Sequence, residues 1–171
     1  MASFGASAHT APDNLASTPG AACVFNAPKA VVLAGVDLGH VGWGYELPND
    51  TWEFGANDGA KKGSRLSDTV DGHGSRATMI SDFTKAASGA NAYTAYKCVT
   101  VRSLNASAAL QEVNREWDEV YSIPSQDCEA QAYNVLDQYG IKNMPSSWKD
   151  PSPDVWFYWL SLAGFSKATS I

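Results

Sequence analysis

A cysteine at the predicted start of a helix is the residue of this sequence best suited to nucleophilic chemistry. Pro124 breaks the preceding element, and either Ser125 or Asp127 can cap the helix that follows. Gly140 is a suitable helix end, so Cys128 falls in the first turn. The unpaired N–H groups and the dipole at that end stabilise a thiolate. Cys128 is therefore the candidate nucleophile, and a buried cysteine acting as a small hydrophobic residue is the competing interpretation.

A histidine on a predicted strand is the candidate base. Residues 39–47 alternate as a strand, which places His40, Gly42 and Gly44 on one face. Glycines are tolerated in a strand where something approaches the backbone closely, so the two glycines predict an open groove beside the imidazole. The alternative is a bulge next to a structural histidine. His40 is preferred to His73, which falls in a stretch, 57–74, that has the composition of a loop.

The residue that orients the imidazole is expected on the second strand of the same hairpin. Glu53 is the first choice, because it shares the face of His40 if Glu46 pairs opposite it. A register shift of one residue would turn Glu53 away, and Asn57 and Asp58 are the alternatives at the end of that strand. A Cys-His-Glu site of this kind would attack a carbonyl through the thiolate and form a thioester.

The remaining site residues are predicted by their proximity to these groups. The backbone N–H of Cys128 is one expected half of an oxyanion hole, and Gln126 is the candidate side-chain donor. Gly42 and Gly44, with Trp43 between them, are the expected substrate groove. Neither a metal nor an organic cofactor is required by this chemistry.

Composition limits the class of protein. The chain of 171 residues suits one domain, and its net charge of −6 offers no basic stripe for nucleic acid. Three widely spaced cysteines indicate neither a disulfide framework nor a metal site, although one bridge with one free thiol is an alternative in an exported protein. No apolar run is long enough to span a bilayer, and no signal peptide is visible. The expectation is a cytoplasmic protein, or one exported without a visible signal peptide.

The pattern along the chain predicts an α+β fold with an antiparallel sheet packed against the Cys128 helix. Residues 1–20 have the composition of a flexible leader, and 21–171 are predicted to form a single domain. The first predicted element is a buried strand or short helix that begins at Val24 or Ala30 and ends at Val36. The other predicted elements are a hairpin at 39–55, a helix at 76–87, a strand at 93–104, a helix that Asn105 caps, the helix at 128–139 and a buried aromatic helix or strand near the C-terminus.

This order of elements resembles the circularly permuted papain-like proteins, which include the lecithin retinol acyltransferase-like enzymes and relatives of bacterial cell-wall peptidases. The resemblance covers residues 39–56 and 93–140, where His40 precedes Cys128 as in the permuted branch. The family often has asparagine just before the cysteine, whereas this chain has Asp127, whose charge opposes a thiolate. The acyltransferase subgroup usually has a second histidine in the hairpin, where this chain has a carboxylate, Glu53.

The resemblance implies a thiol-dependent amide or peptide hydrolase, or an acyl transferase, acting through Cys128, His40 and Glu53. Its substrate would be a peptide, isopeptide or acyl group. A lipid acyltransferase or deacylase and a protein deamidase are alternatives with the same chemistry. An alternative of another class is a non-catalytic binding domain in which Cys128 and His40 are structural. The oligomeric state is left open by the sequence.

Overall fold

In the computed structural model, residues 18–58, 67–120, 127–146 and 152–171 are described. This part of the chain has an α+β fold with a six-stranded antiparallel sheet in the order β6-β5-β4-β1-β7-β8 and four helices. The strands are β1 (Gly20–Ala27), β2 (Val32–Leu33), β3 (Val36–Asp37), β4 (His40–Glu46), β5 (Trp52–Asp58), β6 (Ser67–Gly74), β7 (Ala95–Val101) and β8 (Thr169–Ser170). The helices are α1 (Arg76–Ala86), α2 (Ala106–Trp117), α3 (Cys128–Tyr139) and α4 (Pro153–Trp159). No helix in these ranges is both long and apolar enough to cross a bilayer.

The central sheet separates two hydrophobic cores. On one side, which we call the α3 face, Ala22 and Val24 of β1 pack in a core with residues of α2, α3 and α4. On the other side, the α1 face, Cys23 and Phe25 of the same strand pack in a core with Met79 and Phe83 of α1. Because successive residues of a strand point to opposite faces, the parity of a residue in β1 or β4 decides which core its side chain joins.

Several predicted elements are confirmed with their caps. The hairpin is formed by β4 and β5, and the helix at 76–87 is α1. The Asn105 side chain accepts a hydrogen bond from the backbone N–H of Ala108 at the start of α2. Asp127 does the same for Ala130 at the start of α3, and Gly140 ends that helix with a φ of 120°. Local capping chemistry therefore predicts these boundaries well.

Two predictions are wrong. The stretch expected as a loop contains a strand, β6, which pairs with β5 along its whole length. Residues 30–36 were expected to be buried, but β2 and β3 form a separate two-stranded hairpin with exposed side chains. Its turn has positive φ at Ala34 and Gly35, the two central positions of a tight hairpin turn. The predicted leader lies outside the described residues as far as position 17.

A disulfide joins the neighbouring strands β1 and β7 of the sheet. Cys23 of β1 and Cys98 of β7 are directly paired and bonded, and they are separated by 75 positions in sequence. Cys128 is the free cysteine. The chain thus has one disulfide bridge and one free thiol, the arrangement that the sequence left as the alternative.

Candidate functional site

The Cys128 thiol is buried at the start of α3. Its side chain is 3% exposed and belongs to the core of the α3 face, where it lies against the backbone of Val41. Burial raises the pKa of the thiol, and the negative charge of Asp127 raises it further. Hydrogen bonds from the backbone of Val41 and Glu129 offset only part of that effect. The helix terminus therefore does not make this thiol a thiolate near neutral pH.

His40 projects from the opposite side of the sheet. It pairs directly with Ala27, and Ala27 belongs to the core of the α1 face. Val41, the next residue of β4, joins Cys128 on the α3 face. Directly paired residues share a face and neighbouring residues do not. The structure therefore separates His40 from Cys128 by the sheet itself and does not bring them together in one cleft.

The register of the hairpin also turns Glu53 away from His40. Glu46 pairs with Trp52, and Glu53 pairs with Tyr45 instead. Glu53 consequently lies on the α3 face, where its Oε1 is 2.8 Å from Nδ1 of His73. The register differs by one residue from the expected pairing, and this difference turns Glu53 away from the face of His40. Glu53 instead contacts His73, a histidine that we expected in a loop.

The alternatives for the third member do not complete the site either. Asn57 is 2% exposed and lies at the register shift between β5 and β6, directly after Ala56 of the α1-face core. Because the sheet separates Cys128 from His40, Asn57 does not complete a site with both. Asp58 is the last residue of β5. Gln126, the predicted oxyanion donor, lies outside the described residues.

The predicted groove beside the glycines is filled by side chains. A Cβ on Gly42 would overlap Phe83 Cε1, and one on Gly44 would overlap Met79 Sδ. Both of these α1 residues are fully buried. Trp43 is also buried, on the α3 face. The glycines make room for a helix packed on the sheet, and they do not form a cleft for a substrate.

The sequence did not predict a row of buried polar groups between α3 and the sheet. Trp43 Nε1, Tyr45 Oη and both side-chain polar atoms of Gln131 have no hydrogen-bond partner among the described residues. Burial, then the charge of Glu53, raises the pKa of Tyr45. The alternation of β4 places Trp43 and Tyr45 on this face, but no pattern in α3 singles out Gln131. These groups make the α3 face unusually polar for a core.

A pocket lies on the α1 face at the start of β4, and we call it the His40 pocket. It has a volume of about 300 Å³ and is lined by Ala30, Val31, His40, Ala86, Ala87, Asn91 and Tyr93. The rings of His40 and Tyr93 are 6.1 Å apart. The walls thus combine alkyl groups with an imidazole, a phenol and an amide. This mixture of apolar surface and a few polar groups is typical of small-ligand sites.

No group of three or more His, Cys, Asp or Glu side chains in the described ranges is arranged to hold a metal ion. Comparison of the chain with protein-family models, curated proteins and solved structures finds no match. The interpretation of this site therefore depends on its own geometry.

Proposed function

We propose that this chain is a non-catalytic binding domain in which Cys128 is a core residue and the His40 pocket receives the ligand. The observation that carries the proposal is the separation of Cys128 and His40 by the sheet. A thioester mechanism needs the imidazole within hydrogen-bond reach of the sulfur. Burial and the raised pKa of the Cys128 thiol also support a structural role.

The size and lining of the His40 pocket support a small ligand, or one side chain of a larger one. Its volume is at the lower end of the range for small-molecule sites, about 300–1,000 Å³. Ala30, Val31 and Ala86 offer apolar contact, while Asn91 offers an amide that both donates and accepts hydrogen bonds. The expected ligand has a short apolar body and one polar end.

NMR of the ¹³C-labelled His40 imidazole tests this proposal. We expect a panel of N-acetyl amino acid amides to include members that shift the His40 signals at millimolar concentration. Ala86→Leu should abolish the shifts by filling the pocket, whereas Thr84→Leu, an exposed position of the same helix, should preserve them. If the His40 signals do not respond, or Ala86→Leu leaves the response intact, the pocket is not the ligand site.

A second candidate function is thiol-dependent cleavage or transfer of an amide or acyl bond. The observation in its favour is that α3 begins at Cys128, so the cysteine lies at a helix start as the papain-like resemblance implies. The sulfur and the imidazole would have to reach the same side of β4, so this function requires a rearranged sheet. Peptide, isopeptide and lipid acyl groups, or a protein amide in a deamidase reaction, are the substrates that the same thioester chemistry would process.

Trapping of an acyl-enzyme separates the two candidates. A hydrolase or transferase should form a covalent adduct on Cys128 with an activated acyl donor, detectable by intact mass, and His40→Ala should slow its formation. The binding domain should form no such adduct while folded.

A further inference from the structure

The outer edge of β7 carries a partner strand along only part of its length. β8 pairs with β7 at Ala95 and Tyr96 alone. Further along, Cys98 accepts a hydrogen bond from the backbone N–H of Ser166 and donates its own N–H to the Ser166 hydroxyl. Beyond Cys98, no strand in the described part of the chain pairs with this edge.

The backbone of Thr100 points outward at this open part of the edge. In an antiparallel ladder, the N–H and C=O of alternate residues point to the same side of the strand. Because both groups of Cys98 point away from β1, those of Thr100 do as well. Thr100 is exposed. It is the next residue after Cys98 whose backbone groups face this edge, so it follows the hydrogen bonds that Ser166 and β8 make along β7. The edge therefore offers at least one further donor and acceptor to an added strand.

A groove of about 610 Å³ runs beside this edge. Val99 and Val101 of β7 line it on the α3 face, together with Ile141 and Ala163. A strand placed next to β7 would point every second side chain toward these apolar residues. The groove is therefore suited to an extended chain with apolar side chains at alternate positions.

The rim of the groove is basic although the chain as a whole carries a charge of −6. Arg102 and Lys142 line the groove and both are exposed. Lys142 pairs with Asp137, whereas Arg102 has no ion pair with another described residue. The local excess of positive charge favours a segment that carries carboxylates.

We propose that the edge of β7 from Val99 to Val101, with Arg102 directly after it, is a docking site for an extended acidic segment of a partner protein. The segment adds to the sheet as a strand beside Thr100, places alternate apolar side chains against Val101 and Ile141, and directs a carboxylate to Arg102. Strand addition of this kind takes its affinity from backbone hydrogen bonds and its specificity from alternate side chains. This surface lies outside the His40 pocket and is independent of it.

Fluorescence polarisation with a short synthetic peptide tests the docking site. The probe is fluorescein-labelled Glu-Val-Thr-Val-Glu, which combines alternate valines with terminal carboxylates. Thr100→Pro removes the outward N–H at an edge where proline is tolerated, and we expect binding about tenfold weaker. Thr100→Val keeps the backbone donor and should bind as the unmodified protein does. Arg102→Gln, or a peptide with lysines in place of its glutamates, should also weaken binding.

N-methylation of successive peptide amides gives a test that does not depend on the folding of any variant. Strand addition predicts that loss of binding alternates along the peptide, because only every second N–H faces the protein. Absence of binding, or binding indifferent to N-methylation, overturns the proposal. A further result would also overturn the proposal: the protein forms a dimer that Thr100→Pro dissociates, and the peptide does not bind. The edge would then be the site of a second copy of this chain.

Discussion

Cys128 packs beside Val41 on one face of β4, and His40, the residue before Val41, lies on the other face. The two side chains are close in the fold but are separated by the backbone of a central strand. Each belongs to a different environment, since the thiol joins the core under α3 and the imidazole lines a pocket near the end of α1. This relationship makes the thiol structural in our account and gives the imidazole a role in binding.

The close packing of α1 on β4 predicts different costs for two similar substitutions. Gly42→Ala places a methyl group against the rigid ring of Phe83, and we expect a loss of about 2 kcal/mol in the free energy of unfolding. Gly44→Ala meets the flexible Met79 side chain, so its cost should be smaller, about 1 kcal/mol or less. Urea denaturation of both variants measures the difference, and Phe83→Leu should partly rescue Gly42→Ala. Equal costs would show that the ring does not limit the space.

The disulfide predicts a large stability difference between oxidised and reduced protein. Cys23 and Cys98 close a loop of 75 positions, for which the chain-entropy relation gives a stabilisation of about 4.5 kcal/mol. Urea unfolding with and without a reductant measures it, and the Cys23→Ala/Cys98→Ala double variant should match the reduced protein. If a reductant does not change the midpoint of urea unfolding, the prediction that the disulfide stabilises the fold is wrong.

Glu116 predicts a pH dependence of stability. This carboxyl group of α2 is fully buried and accepts a hydrogen bond from Asn134, and burial raises its pKa from 4.5 to about 8. Because the folded protein holds the proton more tightly than the unfolded chain, the stability contribution is complete below about pH 4.5 and is lost as the pH rises through 8.

Glu116→Gln should remove that dependence, because the amide does not titrate. We expect the variant to be more stable than the unmodified protein at pH 8.5 and to show a flatter stability profile between pH 5 and 8. Asp50→Asn, at an exposed turn, is the matched control and should leave the profile unchanged. If stability changes with pH in the same way in the Glu116 variant and in the unmodified protein, Glu116 is not the source of the pH dependence.

The sequence predicts features that depend on neighbouring residues, such as helix caps. It does not predict features that depend on how distant segments pair or pack. Asn105 and Asp127 cap their helices through bonds three residues away, so their positions are visible in the sequence. The orientation of Glu53 depends on the register across the turn at 48–50, which composition does not fix. The side of the sheet that α3 covers decides whether Cys128 meets His40, and strand alternation alone does not give that choice.

Two missed elements have physical reasons of their own. β6 is an edge strand rich in Asp and Gly, so it lacks the apolar alternation by which strands are recognised. The apolar residues Val32, Leu33 and Val36 suggested burial, but the positive φ values at Ala34 and Gly35 fold them into an exposed hairpin.

The rate at which iodoacetamide alkylates Cys128 in the folded protein tests the central claim most directly. Mass spectrometry near neutral pH should show an inert thiol that reacts only on addition of denaturant, with the same behaviour in His40→Ala and in His73→Ala. Rapid labelling of the folded protein that slows when His40 is replaced by alanine would contradict the account, because it would mean that the sulfur and the imidazole share one site.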